Sequence, residues 1–207
     1  MCRLSRSVSE KNAKFYLFRS KHSIFGTNFV SLQPGKCLTL KYKIDMISEK
    51  LQKAINDQVK AEMWSANLYL AMSFYFKRNS YDGFANWMKK QSDEEMDHAM
   101  QLADYVMKRG GVITVDAIDA VDNEWKSPLD VFERVYAHEC HVSQLIDALV
   151  DVASSERDKA SQDFLWGFVR EQVEEEATAQ GIVDKIKNAG EAQAAIFMLD
   201  AQLGARK

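Results

Sequence analysis

Proline and glycine are scarce in this chain of 207 residues, which has two of the former and nine of the latter. That shortage excludes collagen-like and low-complexity architectures, and it leaves few obligatory breaks, which favours long helices. Three cysteines, of which only Cys140 lies beyond residue 45, cannot build a disulfide framework and point to a reducing compartment, the cytoplasm. No apolar run approaches the roughly 20 residues that span a bilayer, so no membrane partner is expected. Basic residues are also short over most of the chain. Residues 46–207 carry eighteen Lys and Arg against twenty-eight Asp and Glu, whereas residues 1–45 carry nine against two. The acidic part excludes nucleic acid as the main partner, because phosphate binding needs a basic footprint, and it suits cations instead.

The two parts are therefore read separately. Residues 1–45 form a basic extension without the apolar segment of a secretory signal. They are assigned no chemistry and are read as an upstream-extended start or a disordered appendage. Residues 46–207 form one all-α domain. Ser48 is placed to cap its first helix, with Glu49 in the first turn.

Four helical stripes follow at alternating steps of four and three. The first holds Ile55, Val59, Glu62, Ala66, Tyr69, Ser73 and Phe76; the second Phe84, Met88, Gln91, Glu95, His98, Leu102 and Tyr105. The third holds Phe132, Val135, Glu139, Val142, Ile146, Leu149 and Ala153; the fourth Leu165, Phe168, Gln172, Glu175, Ala179, Ile182 and Ile186. Breaks fall at residues 79–83, at Gly110-Gly111 and near Ser154–Asp158, and Ser127-Pro128 reads as an N-cap followed by proline at the first helical position. The connection from Gly110 to Pro128 has weak helical pattern and a short β-like run, Val112 to Val115. Two short turns flanking one long crossover predict a four-helix bundle of the ferritin-like topology, with a short apolar fifth helix from Ala192 to about Leu203.

Each stripe is interrupted near its midpoint by a glutamate: Glu62, Glu95, Glu139 and Glu175. One such residue is ordinarily a snorkelling side chain. Four at one depth would converge inside the bundle, where isolated carboxylates cost several kcal/mol or lose their charge. No Lys or Arg lies on these stripes, so a metal is the simplest neutraliser. Carboxylates with one imidazole and no thiolate suit iron or manganese. Glu95 and His98, at i and i+3, reach one point beside their helix. Glu62 and His98 then complete one ion's ligands and Glu139 and Glu175 the other's, with Glu95 shared between them.

The segments AEMWSANLYLAMS around Glu62 and Tyr69, QSDEEMDHA around Glu95 and His98, YAHE at Glu139 and REQVEEE at 170–176 resemble those of the bacterial non-haem ferritins, and the resemblance covers about 46–207. It implies an iron-storage protein of 24 subunits, in which each subunit oxidises Fe(II) with dioxygen or hydrogen peroxide at a di-iron ferroxidase centre. The shell holds the product as a ferric mineral, with the last helix at a symmetry axis. It further implies Glu62, Glu95 and His98 at one iron, and Glu95, Glu139 and Glu175 at the second with Gln172 beside it. Tyr69 falls where the family has a redox tyrosine, and Glu94, Glu171 and Glu174 where it holds a third iron. His138 and His141 lie off the stripe and are expected on the surface. Met96 sits where bacterioferritins ligate haem. The second Glu-x-x-His of those proteins and of rubrerythrins is replaced here by Gln172-Val173-Glu174-Glu175, and there is no CxxC pair, so no haem is expected. A haem ferritin, a di-iron oxidase or peroxidase of small assembly, and a purely structural bundle are the competing readings.

Overall fold

The computed structural model describes residues 46–206. The reading of residues 1–45 lies outside the described residues. Five helices are present, α1 (Glu49–Arg78), α2 (Asp82–Lys108), α3 (Pro128–Ser155), α4 (Lys159–Ala189) and α5 (Gln193–Leu203), with no strand among the described residues. None is long and apolar enough to cross a membrane.

Local chemistry sets the helix ends. Ser48 Oγ accepts from Leu51 N at 3.2 Å, Ser127 Oγ from Asp130 N at 3.2 Å ahead of Pro128, and Asp158 Oδ1 from Ser161 N at 3.1 Å. Each satisfies an amide that has no partner within its own helix. Gly190, at φ +56°, ends α4 in a conformation that side chains with a Cβ resist. α2 lacks a side-chain cap of its own. Asp200, buried on α5, reaches the Phe84 amide at 2.7 Å and serves as that cap from the far end of the chain.

α1 pairs with α2 and α3 with α4, while α1 and α3 also pack closely. Lys50 at the start of α1 bonds Ser155 at the end of α3, and Tyr105 near the end of α2 bonds Ser161 near the start of α4, both across antiparallel pairs. The crossover of residues 109–127 consequently runs the length of the bundle. Ile47 N donates to Arg109 O (3.1 Å) at one end, and Arg78 reaches Asn123 O (3.3 Å) at the other. The apolar run Val112–Val115 forms no strand. Side chains of α1 take the place of a neighbouring strand, with Asn56 and Gln52 bonding the backbone of Val112 and Thr114 at 2.8–3.0 Å. Val112 and Val115 are exposed.

The apolar interior comes in two pieces. One is built around Tyr69, Met72, Phe76, Phe84, Met88, Phe132 and Ile182, the other around Leu51, Ile55, Val59, Leu102, Ile146, Leu165 and Phe168. Between them lies a polar layer at the helix midpoints. α2 and α4 bring no Cα atoms within 8 Å of each other, and large side chains span that flank: Tyr105 stacks on Phe164 at 4.0 Å and His98 meets Phe168 at 5.6 Å.

α5 closes one end of the bundle against α2 and α4, with Ile196 and Leu199 buried. The contact is close enough that a Cβ on Gly83 would lie 1.7 Å from the Asp200 carbonyl oxygen. Gly83→Ala is therefore expected to lift α5 from α2 and to cost about 1–3 kcal/mol. Hydrogen exchange should show lost protection over residues 193–203 together with a lowered unfolding midpoint, while α1 and α3 keep theirs.

Candidate metal centre

The polar layer gathers one side chain after another from the four long helices. Glu62 of α1, Glu95 and His98 of α2 and Glu139 of α3 are buried, with the three glutamates 1%, 3% and 1% exposed; Glu175 of α4 is half-buried. Glu62, Glu95 and His98 each offer one ligand atom, and these atoms lie within 4.8 Å of one another. Glu139 and Glu175 join them through the field they share. The charge of Glu139 acts on both Glu95 and Glu175.

Neutral donors hold these carboxylates in place. Gln58 Nε2 donates to Glu62 Oε1 (2.9 Å) from one turn earlier on α1. Gln172 Nε2 donates to Glu139 Oε2 (3.2 Å) and to the Glu139 carbonyl (3.3 Å), while the Tyr69 hydroxyl donates to Glu139 Oε1. Gln91 Nε2 donates to Glu175 Oε2 at 3.1 Å. Amides and phenols orient a carboxylate without cancelling its charge, so the layer remains short of positive charge. Burial, reinforced by Glu95, raises the Glu62 carboxyl well above the usual range. Burial and Glu139 push Glu95 to about 8 and Glu175 to about 7. Burial also raises Glu139, against the hydrogen bonds from Tyr69 and Gln172, and raises the Tyr69 phenol, which faces the Glu139 charge.

One carboxyl states what the site lacks. Glu62 Oε2 is buried without a donor, and the link from Glu62 to the Glu95 carboxyl is a hydrogen bond only while a proton is held between them; a buried carboxylate oxygen without a donor is strongly disfavoured. A cation beside Glu62, Glu95 and His98 would satisfy it. The donor set of carboxylate oxygens and one imidazole fits a hard or borderline metal such as iron or manganese.

His98 uses both ring nitrogens. Nδ1 faces Glu95 Oε2 at 3.8 Å and Nε2 faces the partly exposed Glu171 Oε1 at 3.2 Å, so the ring stands between the buried carboxylates and an outer one. Of the remaining outer glutamates, Glu94 pairs with Arg206 and Glu174 is exposed. Met96 is exposed on α2.

His138 departs from the surface position expected of it. It is half-buried between α1 and α3, bonded through Nε2 to Ser65 Oγ at 2.8 Å and edge-on to Tyr69 at 5.9 Å. Burial, then His141, lowers it to about 4, so it stays neutral at pH 7. Close packing of α1 on α3 widens the buried face of α3 beyond its central stripe. His141 is exposed as expected, and both histidines line a groove of about 460 Å³ on the outer side of that helix pair. Sequence reasoning missed Gln58 and Gln91 as donors. The four-residue step from Gln58 to Glu62 was the available signal.

An antiparallel four-helix bundle with a lengthwise crossover and a carboxylate layer at mid-height defines the class of ferritin-like carboxylate proteins. Residues 52–189 match the family model described as ferritin-like domain. The chain is 69% identical to a bacterial non-haem ferritin of Bacteroides fragilis (strain 638R), covering 78% of this chain and all of the relative. It is 37% identical to a bacterial non-haem ferritin of Campylobacter jejuni over 75% of this chain and 93% of that protein. The crystal structure of an open pore ferritin from the archaeon Archaeoglobus fulgidus superposes with a TM-score of 0.77 at 46% identity, covering 78% of this chain and 99% of that one. The chain belongs to the ferritin family, within which its likeness is to the bacterial non-haem ferritins.

The raised carboxyls make metal-free stability depend on pH. Glu95 and Glu175 bind protons more tightly folded than unfolded, where they titrate near 4.3. Their stabilising contribution is complete below that value and is lost as pH rises through about 7 and 8. The metal-free protein should thus unfold at progressively lower temperature between pH 5 and 8. Glu95→Gln should flatten that decline by several degrees in calorimetric scans.

Proposed function

We propose that this protein is an iron-storage ferritin whose subunits oxidise Fe(II) to Fe(III) and retain it as a ferric mineral inside a shell of 24 copies. The observation that carries the reading is the convergence of Glu62, Glu95 and His98 within 4.8 Å, with Glu62 Oε2 unpartnered in a buried carboxylate layer. Membership of the ferritin family supports it.

Fe(II) is the substrate. Glu62, Glu95 and His98 are assigned to one ion, and Glu95, Glu139 and Glu175 to the other. Two ferrous ions supply the two electrons that take dioxygen to hydrogen peroxide, or peroxide to water, with protons drawn from solvent. Anionic oxygen ligands favour the ferric product, and burial of the layer strengthens that preference by excluding water. The same preference opposes release. Gln172 binds Glu139 as a neutral donor, and Glu175 is half-exposed on the flank where α2 and α4 stand apart; both leave the second ion less firmly held. Tyr69 is assigned as an auxiliary electron donor. Its hydrogen bond to Glu139 gives the phenolic proton somewhere to go when the ring loses an electron. The polar cluster calls for no haem, and a cytoplasmic location accords with the cysteine usage.

Aerobic addition of Fe(II) to assembled protein tests the reading. Wild type should oxidise and retain many ions per subunit in a particle of shell size. Glu95→Ala should oxidise at least about 10- to 100-fold more slowly while assembling normally. Equal oxidation by the variant would remove the site assignment, and a small native particle that accumulates no iron would remove the storage role.

A further inference from the structure

Beyond α5 the chain turns back along α2, on the flank where the metal centre meets solvent. Asn86 donates from Nδ2 to the carbonyls of Gly204 (3.3 Å) and Arg206 (3.1 Å), which lays the segment along the helix. The Arg206 guanidinium lies 5.1 Å from the Trp87 ring centroid. One of its nitrogens donates to Gln91 Oε1 and another to a carboxylate oxygen of Glu94. Trp87, Gln91 and Glu94 are successive positions on one face of α2, so a single side chain is clamped at three points across two turns.

The clamp also reaches the centre. A guanidinium has donors only, so it takes the Gln91 oxygen and leaves the amide nitrogen to face Glu175 Oε2 at 3.1 Å. Arg206 thereby serves Glu94 directly and Glu175 through one amide. The pair is partly exposed, at 26% for the Arg206 side chain and 45% for Glu94, so an incoming ion can reach Glu94 but meets a cation already there.

We infer that Arg206 is a positioning residue that withholds Glu94 from metal binding, so that an ion engages Glu94 only by displacing the guanidinium. The inference rests on the di-iron reading of the core carboxylates, and it makes occupancy of an outer third site a competition between a metal ion and the chain's own C-terminal segment. Removing the arginine frees the carboxylate; lysine restores the charge without the fork that spans Gln91 and Glu94.

Calorimetric titration of assembled, metal-free protein with Zn(II), a redox-inert divalent ion, tests this in wild type, Arg206→Ala, Arg206→Lys and Arg206→Ala combined with Glu94→Gln. Two tight sites per subunit should persist in all four. A weaker third site should tighten about three- to tenfold in Arg206→Ala, the range expected from releasing one exposed ion pair and its aromatic contact. It should return towards wild type in Arg206→Lys and lose the gain in the double variant. A third site unchanged or weakened in Arg206→Ala overturns the inference, as does tightening that survives loss of Glu94. If wild type lacked the two tight sites while Arg206→Ala gained one dependent on Glu94, the di-iron reading would fail and the role of Arg206 would stand.

Discussion

Burial of four carboxyls in one layer, compounded by their mutual repulsion, is the constraint around which this molecule is arranged. Glu62, Glu95 and Glu139 are buried, Glu175 is half-buried, and their nearest partners are amides, a phenol, an imidazole and one another's carboxyls rather than lysine or arginine. Burial and proximity both act against their ionised forms. The cost is tolerable because large apolar clusters lie on either side. Aromatic and aliphatic side chains above and below the layer hold the helices at fixed register, so the glutamates stay opposite one another. The fold supplies the stability and the layer consumes part of it.

The supporting donors explain why the strain does not relax by side-chain rotation. Gln58, Gln91, Gln172 and Tyr69 each tie a carboxylate oxygen to one orientation. Such ties narrow the geometry that an entering ion meets, and less rearrangement is needed on binding. The two flanks of the layer differ, since α2 and α4 stand apart and side chains span the space between them. On the α1–α3 flank His138 is neutral and bonded to Ser65, whereas Glu175 and Glu94 lie towards the α2–α4 flank, linked there through Gln91 and Arg206.

Much of this was legible in the residues themselves. Alternating steps of four and three marked the four buried faces, and every position of the first and third stripes is buried. Helical periodicity is local, and so are the Ser48 and Ser127 caps and the Ser127-Pro128 start. Glutamates at matching midpoints carried the layer, because packed helices of similar length bring their midpoints together. Most of what escaped depended on partners distant in the chain. Asp200 caps a helix that begins 118 positions earlier, and His138 finds Ser65 across 73 residues. Gln58 and Gln91 look like ordinary polar interruptions until the carboxylates beside them are located. The run Val112–Val115 has the composition of a strand, yet nothing in its own residues reveals that Gln52 and Asn56 take up its backbone groups.

The division of the apolar interior has a consequence for how such a chain can change over generations. Packing is concentrated in two blocks, and the carboxylates occupy a thin seam between them. Exchanging a seam glutamate for a neutral residue of similar volume removes repulsion without opening either block. Inheritance of the architecture is thereby uncoupled from inheritance of the polar layer: a lineage can weaken, retune or lose its seam while its fold persists.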